Sequence, residues 1–326
     1  EIVSRDWSSD VCSSDLALRL SLDSRVQFAV REELLRGMAD FRAKGVTGIV
    51  MDAKTGELVA MVSVPDFDPN RAGDTDPDAR FNRATLGVFE PGSTMKVMTV
   101  AMALELGTAK LDEKFDATKP LKIGRFTIHD DHAKNKWLTV PEVFIYSSNI
   151  GAARIAMEVG PQQQKAFLDR LGLLKKPDVE LPEVGAPLIP EPWREISTIT
   201  VAFGHGIAMS PLQYAAGLAA VVNGGFKVSP TLMAGGRAGA PVRVLSPETS
   251  DTMRRLLRLL RGGVRLIGPL AGRLRRGIGH VGPRFGFVGL GFCGIRRGAR
   301  HGQFVVRRAS AGEKRRTHRQ RQHRFA

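Results

Sequence analysis

Ser93 and Lys96 stand three residues apart at the head of an apolar run, and that pairing can do chemistry. A serine hydroxyl is a poor nucleophile until a neighbouring base takes its proton. A lysine serves as that base only where burial or nearby cations depress its pKa. Three residues apart on a helix, the two side chains share one face. A helix N-terminus adds positive potential and free N–H groups, which suit an oxyanion forming on an attacked carbonyl. Further along, Ser147-Ser148-Asn149 puts a serine and a side-chain amide at a break between two apolar stretches. The plainer alternatives are that Ser93 is an N-cap with Lys96 exposed in the first turn, and that Ser147 to Asn149 is an ordinary cap junction. Ser-x-x-Lys arises often by chance, so the surrounding elements must decide.

Those elements favour a buried site. From Thr94 to Leu106 the residues Met95, Val97, Met98, Val100, Ala101, Met102, Ala103, Leu104 and Leu106 predict a helix that is apolar nearly all round, hence one inside a core. Pro91-Gly92 forms its approach and Gly107 its stop. Pro141 at a helix start leads a short helix to Tyr146, and a second apolar helix runs from Ile150 to Val159.

Around them the periodicity predicts a helix capped by Asp23 and running to about Lys44, with Val26, Ala29, Val30, Leu34, Met38 and Phe41 on one face and Gly45 ending it. Strands at Thr47 to Met51 and Leu58 to Val64, joined by Asp52 to Glu57, make a hairpin. Pro65 to Asp78 is a loop, and the stretch after Gly107 is mixed and strand-poor to about Trp137. Within it, Ile128-His129-Asp130-Asp131-His132 reads as a polar loop, since such close-set side chains rarely converge on one metal ion without a regular scaffold. A helix is expected from about Gln162 to Leu171, and a strand from Ile199 to Phe203 that enters Gly204-His205-Gly206, where His205 is a turn residue. Ser210-Pro211 opens a helix over Leu212 to Val222, closed by Asn223-Gly224-Gly225, and Ser246-Pro247-Glu248 starts a last helix to about Leu260.

The 326 residues carry a formal charge of +15, which suggests nucleic acid until it is divided. Residues 1–260 hold 31 Lys and Arg against 32 Asp and Glu, whereas residues 261–326 hold 17 against 1. The body is neutral and the excess lies wholly in an Arg- and Gly-rich tail. That tail could be a basic nucleic-acid or membrane-surface segment. Its abrupt start inside a helix, with scraps such as Val288-Gly289-Leu290-Gly291-Phe292 that develop no period, reads instead as an out-of-frame, disordered continuation. Residues 1–16 repeat Ser-Ser-Asp without helical or strand period and read as a foreign segment. The expected domain therefore spans 17–260. The 43% hydrophobic content of the whole chain can fill a core. The two cysteines, Cys12 and Cys293, lie outside it and offer no disulfide framework. No run of 18 or more apolar residues predicts a membrane span, and no basic-then-apolar start marks a secretory signal.

With Glu90-Pro91-Gly92-Ser93-Thr94-Met95-Lys96, then Tyr146-Ser147-Ser148-Asn149, then Gly204-His205-Gly206-Ile207-Ala208-Met209-Ser210-Pro211-Leu212-Gln213, the chain resembles class B penicillin-binding proteins, the monofunctional peptidoglycan D,D-transpeptidases, and most of all the cell-division type. The resemblance implies an α+β fold, an antiparallel sheet flanked by helices with a buried central helix starting at the nucleophile. It implies Ser93 as the acylated nucleophile, Lys96 as its general base, Ser147 as a proton relay toward the leaving amine and Asn149 as a holder of the substrate's peptide side chain. The implied substrates are peptidoglycan stem peptides ending in D-Ala-D-Ala, with β-lactams as mimics and no cofactor. The implied partners are division proteins including a glycosyltransferase, and the implied place is the periplasmic face of the inner membrane.

The departures bear on activity. The family's third motif, Lys-Thr-Gly, falls on a strand far downstream of the Ser-x-Asn, binds the substrate carboxylate and supplies half of the oxyanion hole. The one Lys-Thr-Gly here, Lys54-Thr55-Gly56, precedes Ser93 in a hairpin turn and is not assigned that role. The expectation is a fragment with C-terminal strands, pedestal and anchor missing and turnover impaired. Three other readings stand beside it: a serine β-lactamase or β-lactam sensor, although no carboxylate motif stands out between Leu174 and Glu195, a nucleic-acid binder using the basic tail, and a non-catalytic scaffold.

Overall fold

The computed structural model describes residues 18–236, 241–260 and 287–293. Helix α1 (Ser24–Asp40) begins where the Asp23 carboxylate accepts from the N–H groups of Arg25 and Val26, as the sequence predicts. It stops at Asp40 rather than Lys44. Arg42 turns to a φ of 48°, and the Ala43 N–H reaches back to the Met38 carbonyl at 2.9 Å, closing the helix before Gly45 is reached. Phe41 is consequently left half out in solvent instead of on the packed face.

The hairpin forms as expected from β1 (Val46–Asp52) and β2 (Leu58–Val64), paired antiparallel from Val46 opposite Val64 to Met51 opposite Leu58, with a bulge at Val50/Met51. Every residue of β1 is buried because both faces are covered. Val46 and Val50 meet Val26 and Val30 of α1, while Ile49 and Met51 join the main core. The outer edge of β2 is closed by a side chain: Gln27 of α1 donates to the Met61 carbonyl at 2.8 Å and accepts from the Met61 N–H at 2.9 Å. An edge strand with its groups so occupied offers less to a stray partner. Lys54-Thr55-Gly56 lies in the turn, where the Asp52 carboxylate takes the N–H groups of Lys54 and Thr55 at 2.7 and 3.1 Å. This Lys-Thr-Gly closes a hairpin.

The free side of β1 carries a strand that the sequence does not predict. β9 (Phe287–Cys293) pairs antiparallel with β1 across all seven residues, so the sheet order is β2-β1-β9. Five of these residues are Val288 to Phe292, read from the sequence as having no period. Val288, Leu290 and Phe292 do alternate with Gly289 and Gly291, but glycines weaken a strand assignment and hide that alternation. The remaining expectations for 1–16 and for the rest of the tail lie outside the described residues.

Beyond the hairpin, Pro65 to Asp78 contains a 3-10 turn (Pro69–Asp74) and the start of the short α2 (Pro77–Arg80). The central helix α3 (Lys96–Leu106) is buried from Lys96 to Ala103 and ends at Gly107 in the left-handed region, φ 69°. The stretch read as strand-poor holds four three-residue strands: β3 (Lys114–Asp116) pairs with β6 (Trp137–Thr139), and β4 (Leu121–Ile123) with β5 (Phe126–Ile128). Three residues are too few for an alternation to register. Then follow α4 (Val140–Ile145), α5 (Asn149–Val159) and α6 (Pro161–Arg170).

Of the predicted strand at Ile199 to Phe203, Ile199 to Val201 instead end a helix, α7 (Glu195–Val201), and Ala202 and Phe203 lie in the turn after it. Its β-branched residues suggest a strand, but Ile199 and Val201 bury against α5, and tertiary packing overrides propensity. Helix α8 (Pro211–Val222), capped by Ser210, is followed by the small β7 (Phe226–Lys227) and β8 (Val242–Arg243) pair and by α9 (Pro247–Leu260). Helices α4, α5, α8 and α9 surround α3. The nucleophile candidate thus stands at the N-terminal end of a helix buried over its first eight residues.

Candidate active site

The turn that presents Ser93 is the 3-10 segment Gly92–Met95, which runs straight into α3. Ser93 is exposed and makes no capping hydrogen bond, so the N-cap alternative fails. The turn is held from three sides. The Tyr214 hydroxyl of α8 donates to the Thr94 carbonyl at 2.7 Å, and burial pushes that phenol well above its usual pKa, so it stays a donor. The Gly92 N–H donates to the Gly204 carbonyl at 3.1 Å. Gly204 has φ 80°, and a Cβ there would stand 2.1 Å from the Gly92 oxygen, so glycine is required on both counts. Next to it, the Glu90 carboxylate accepts from the Gly206 N–H at 2.8 Å and meets His205 Nδ1 at 3.0 Å. His205 is a turn residue, as the flanking glycines indicate, and it ties that turn to the approach of the nucleophile.

Lys96 is 1% exposed, against the alternative of a solvated first-turn residue. Its Nζ donates to Asn149 Oδ1 at 2.7 Å, to the Ser147 carbonyl at 2.8 Å, to Ser93 Oγ at 2.9 Å and to Ser147 Oγ at 3.0 Å. Ser93, Ser147 and Asn149, the three other site residues expected from the sequence, therefore converge on the Lys96 nitrogen. Burial lowers the Lys96 pKa from 10.5 to about 8, against an upward pull from Asp130 and Asp131. A buried ammonium loses its hydration, and the neutral amine is correspondingly easier to form.

Ser147 and Asn149 come from the break between α4 and α5. Helix α4 starts with a capping box between Thr139 and Glu142, and α5 is capped by Ser148, whose Oγ accepts from the Gly151 N–H at 2.9 Å. Between them Ser147 adopts φ 55°, a left-handed conformation costing roughly 1–2 kcal/mol for a residue with a Cβ. In this turn both its oxygens reach the Lys96 amine. Asn149 is already engaged at both ends, accepting from Lys96 and donating to the His129 carbonyl at 3.0 Å.

Sequence reasoning missed Glu90, Tyr214 and Asp130. Asp130 accepts from Ser148 Oγ at 2.7 Å and from the Ile150 N–H at 2.9 Å. None of the three carries a spacing that marks it, because each acts across 18 or more residues of chain. Among the described residues no group of three or more His, Cys, Asp or Glu is arranged to hold a metal ion. What the site can do is remove a proton from an exposed serine hydroxyl with a buried, pKa-depressed amine, and pass that proton on through a second serine.

Residues 46–262 match the family model for the penicillin binding protein transpeptidase domain. The chain is 42% identical over 247 residues to a protein of Caulobacter vibrioides named probable peptidoglycan D,D-transpeptidase FtsI, covering 74% of this chain and 41% of that one. It is 34% identical over 215 residues to peptidoglycan D,D-transpeptidase FtsI of Escherichia coli, covering 65% of this chain and 36% of the relative. The chain thus spans well under half of these relatives. Among solved structures, penicillin binding protein 3 of Mycobacterium tuberculosis, complexed with aztreonam, is similar with a TM-score of 0.69 and 29% identity, over 74% of this chain and 57% of that one. The transpeptidase domain of Burkholderia pseudomallei penicillin-binding protein 3 has a TM-score of 0.65 and 32% identity, over 73% and 69%. The α+β fold with its antiparallel sheet is that of these transpeptidase domains, and this chain belongs to the penicillin-binding protein transpeptidase family.

Proposed function

We propose that the protein is the catalytic part of a septal peptidoglycan D,D-transpeptidase working through a Ser93 acyl-enzyme. The observation that carries this is the buried Lys96 amine, its pKa lowered to about 8, lying 2.9 Å from the exposed Ser93 Oγ and 3.0 Å from Ser147 Oγ. Neutral Lys96 takes the Ser93 proton as Oγ attacks the carbonyl carbon of the penultimate D-Ala, and the carbonyl π electrons move onto oxygen. The N–H groups at the mouth of α3 stabilise that oxyanion. As it collapses, the C–N bond breaks. The leaving D-Ala amine takes a proton passed from the Lys96 ammonium through Ser147. The ester on Ser93 is then attacked by an amine of a second stem peptide. Lys96 receives the attacking amine's proton by way of Ser147 and returns it to Ser93 Oγ, leaving a new amide and the free serine. Asn149 keeps its bonds to Lys96 and to the His129 carbonyl, and holds the stem peptide with its second amide N–H and second oxygen lone pair.

β-Lactams enter by the same first step, and aztreonam bound to a related penicillin binding protein 3 supports that reading. The names of the relatives support the peptidoglycan substrate and the division role. By the same analogy the working place is the periplasmic face of the inner membrane, with division proteins including a glycosyltransferase as partners. Among the described residues no helix is long and apolar enough to cross a membrane.

The test is a D-Ala-D-Ala-mimicking thioester offered with a free D-amino acid as acceptor. The reading predicts an exchange product with the wild-type chain and none with Ser93→Ala. Equal product from both would overturn it.

A further inference from the structure

The segment Ile128 to Asp131 grips the Ser147–Asn149 turn through three hydrogen bonds that no step above uses. Asp130 Oδ2 accepts from Ser148 Oγ at 2.7 Å, Asp130 Oδ1 accepts from the Ile150 N–H at 2.9 Å, and the His129 carbonyl accepts from Asn149 Nδ2 at 3.0 Å. We propose that Asp130 is a positioning residue for acyl transfer, anchoring the start of α5 so that Ser147 and Asn149 converge on the Lys96 amine. The proposal rests on the acyl-enzyme reading above.

The start of α5 has orphan N–H groups that need acceptors. Ser148, 2% exposed, covers that of Gly151 and donates to Asp130, which itself covers that of Ile150. Asp130 thus completes a cap that reaches α5 from the end of β5, about twenty residues upstream. A carboxylate also suits the positive end of a helix. What it steadies is a strained turn: Ser147 at φ 55° persists only where its surroundings over-determine it. Asp130 has a second effect through its charge. With Asp131 it pulls the Lys96 pKa upward against burial, and the remaining groups around the amine, Ser93, Ser147 and Asn149, are neutral.

The test compares the full chain with Asp130→Ala and Asp130→Asn. The readouts are fluorescent-penicillin acylation rates from pH 6 to 9 and hydrogen exchange of the 147–159 peptide by mass spectrometry. Misplacing a reacting group by about 1 Å can cost on the order of 100-fold, so Asp130→Ala is expected to slow acylation roughly tenfold or more. It should also raise deuterium uptake at Ser148 to Gly151. Asp130→Asn keeps an oxygen for the Ile150 N–H but removes the charge. It should retain more of the rate and shift the rise of rate to lower pH, which a merely structural role would not do. Wild-type rates with an unmoved pH profile in both variants would overturn the proposal. If the folded wild-type chain takes no label, the acyl-enzyme reading fails and exchange alone decides the positioning role: raised uptake supports it and unchanged uptake overturns it. If Asp130→Ala does not fold, the pH shift in Asp130→Asn decides.

Discussion

The Lys96 amine sets a pH dependence that can be worked out in advance. With its pKa lowered to about 8, about 9% of the chains carry the neutral base at pH 7, against about 0.03% for a lysine at its ordinary 10.5. Burial thus multiplies the competent population by about 300. Below pH 8 the acylation rate should rise about tenfold per pH unit, and above pH 8 it should level off. The perturbation that isolates the cause is Lys96→Arg, whose guanidinium stays protonated at any working pH and cannot accept the Ser93 proton. Loss of a positioned base typically costs 10²–10⁴-fold. The assay is stopped-flow or quenched acylation by fluorescent penicillin, with Ser93→Ala as the blank. A profile flat from pH 6 to 9, or a Lys96→Arg rate within tenfold of wild type, would refute the role given to this amine.

Two further outcomes follow from the same geometry. Lys96 has a depressed folded pKa, so the folded state binds fewer protons than the unfolded chain between about pH 8 and 10.5. The penalty for burying the ammonium is therefore fully present below pH 8 and is relieved as pH rises toward 10.5, amounting to about 3 kcal/mol. Melting curves of wild type against Lys96→Met should show the mutant the more stable at neutral pH, with the gap closing at alkaline pH; a gap that widens there would contradict the sign. Gly204→Ala combines a left-handed backbone with a Cβ driven against the Gly92 carbonyl, at roughly 2–5 kcal/mol. Its melting temperature and acylation rate should fall together, and a variant melting like wild type would show that the turn can yield.

The core and the candidate site residues were legible because they obey short-range rules. An all-round apolar run predicts a buried helix, and α3 is buried over its first eight residues. Ser93 and Lys96 sit within one turn, so their meeting needs no tertiary knowledge. Ser147 and Asn149 were reachable as a polar break between apolar halves, but only the fold shows that their oxygens point at Lys96. What escaped was set by long-range packing. Ile199 to Val201 suggest a strand and form a helix because α5 covers them. Helix α1 ends early because Arg42 takes a left-handed turn usually left to glycine. Asp130 looked like one acid among several in a loop, and its partners lie 18 and 20 residues away. The strand β9 does alternate, with Val288, Leu290 and Phe292 spaced by Gly289 and Gly291, but two strand-weakening glycines in five residues hid the signal.

The central claim is that Ser93 is the residue that becomes acylated. Incubating the full chain with fluorescent penicillin and mapping the adduct by peptide mass tests it most directly. The account predicts label on the peptide containing Ser93, lost in Ser93→Ala while the mutant keeps its fold by circular dichroism. Label on any other residue, or none on a chain that is folded, would contradict it.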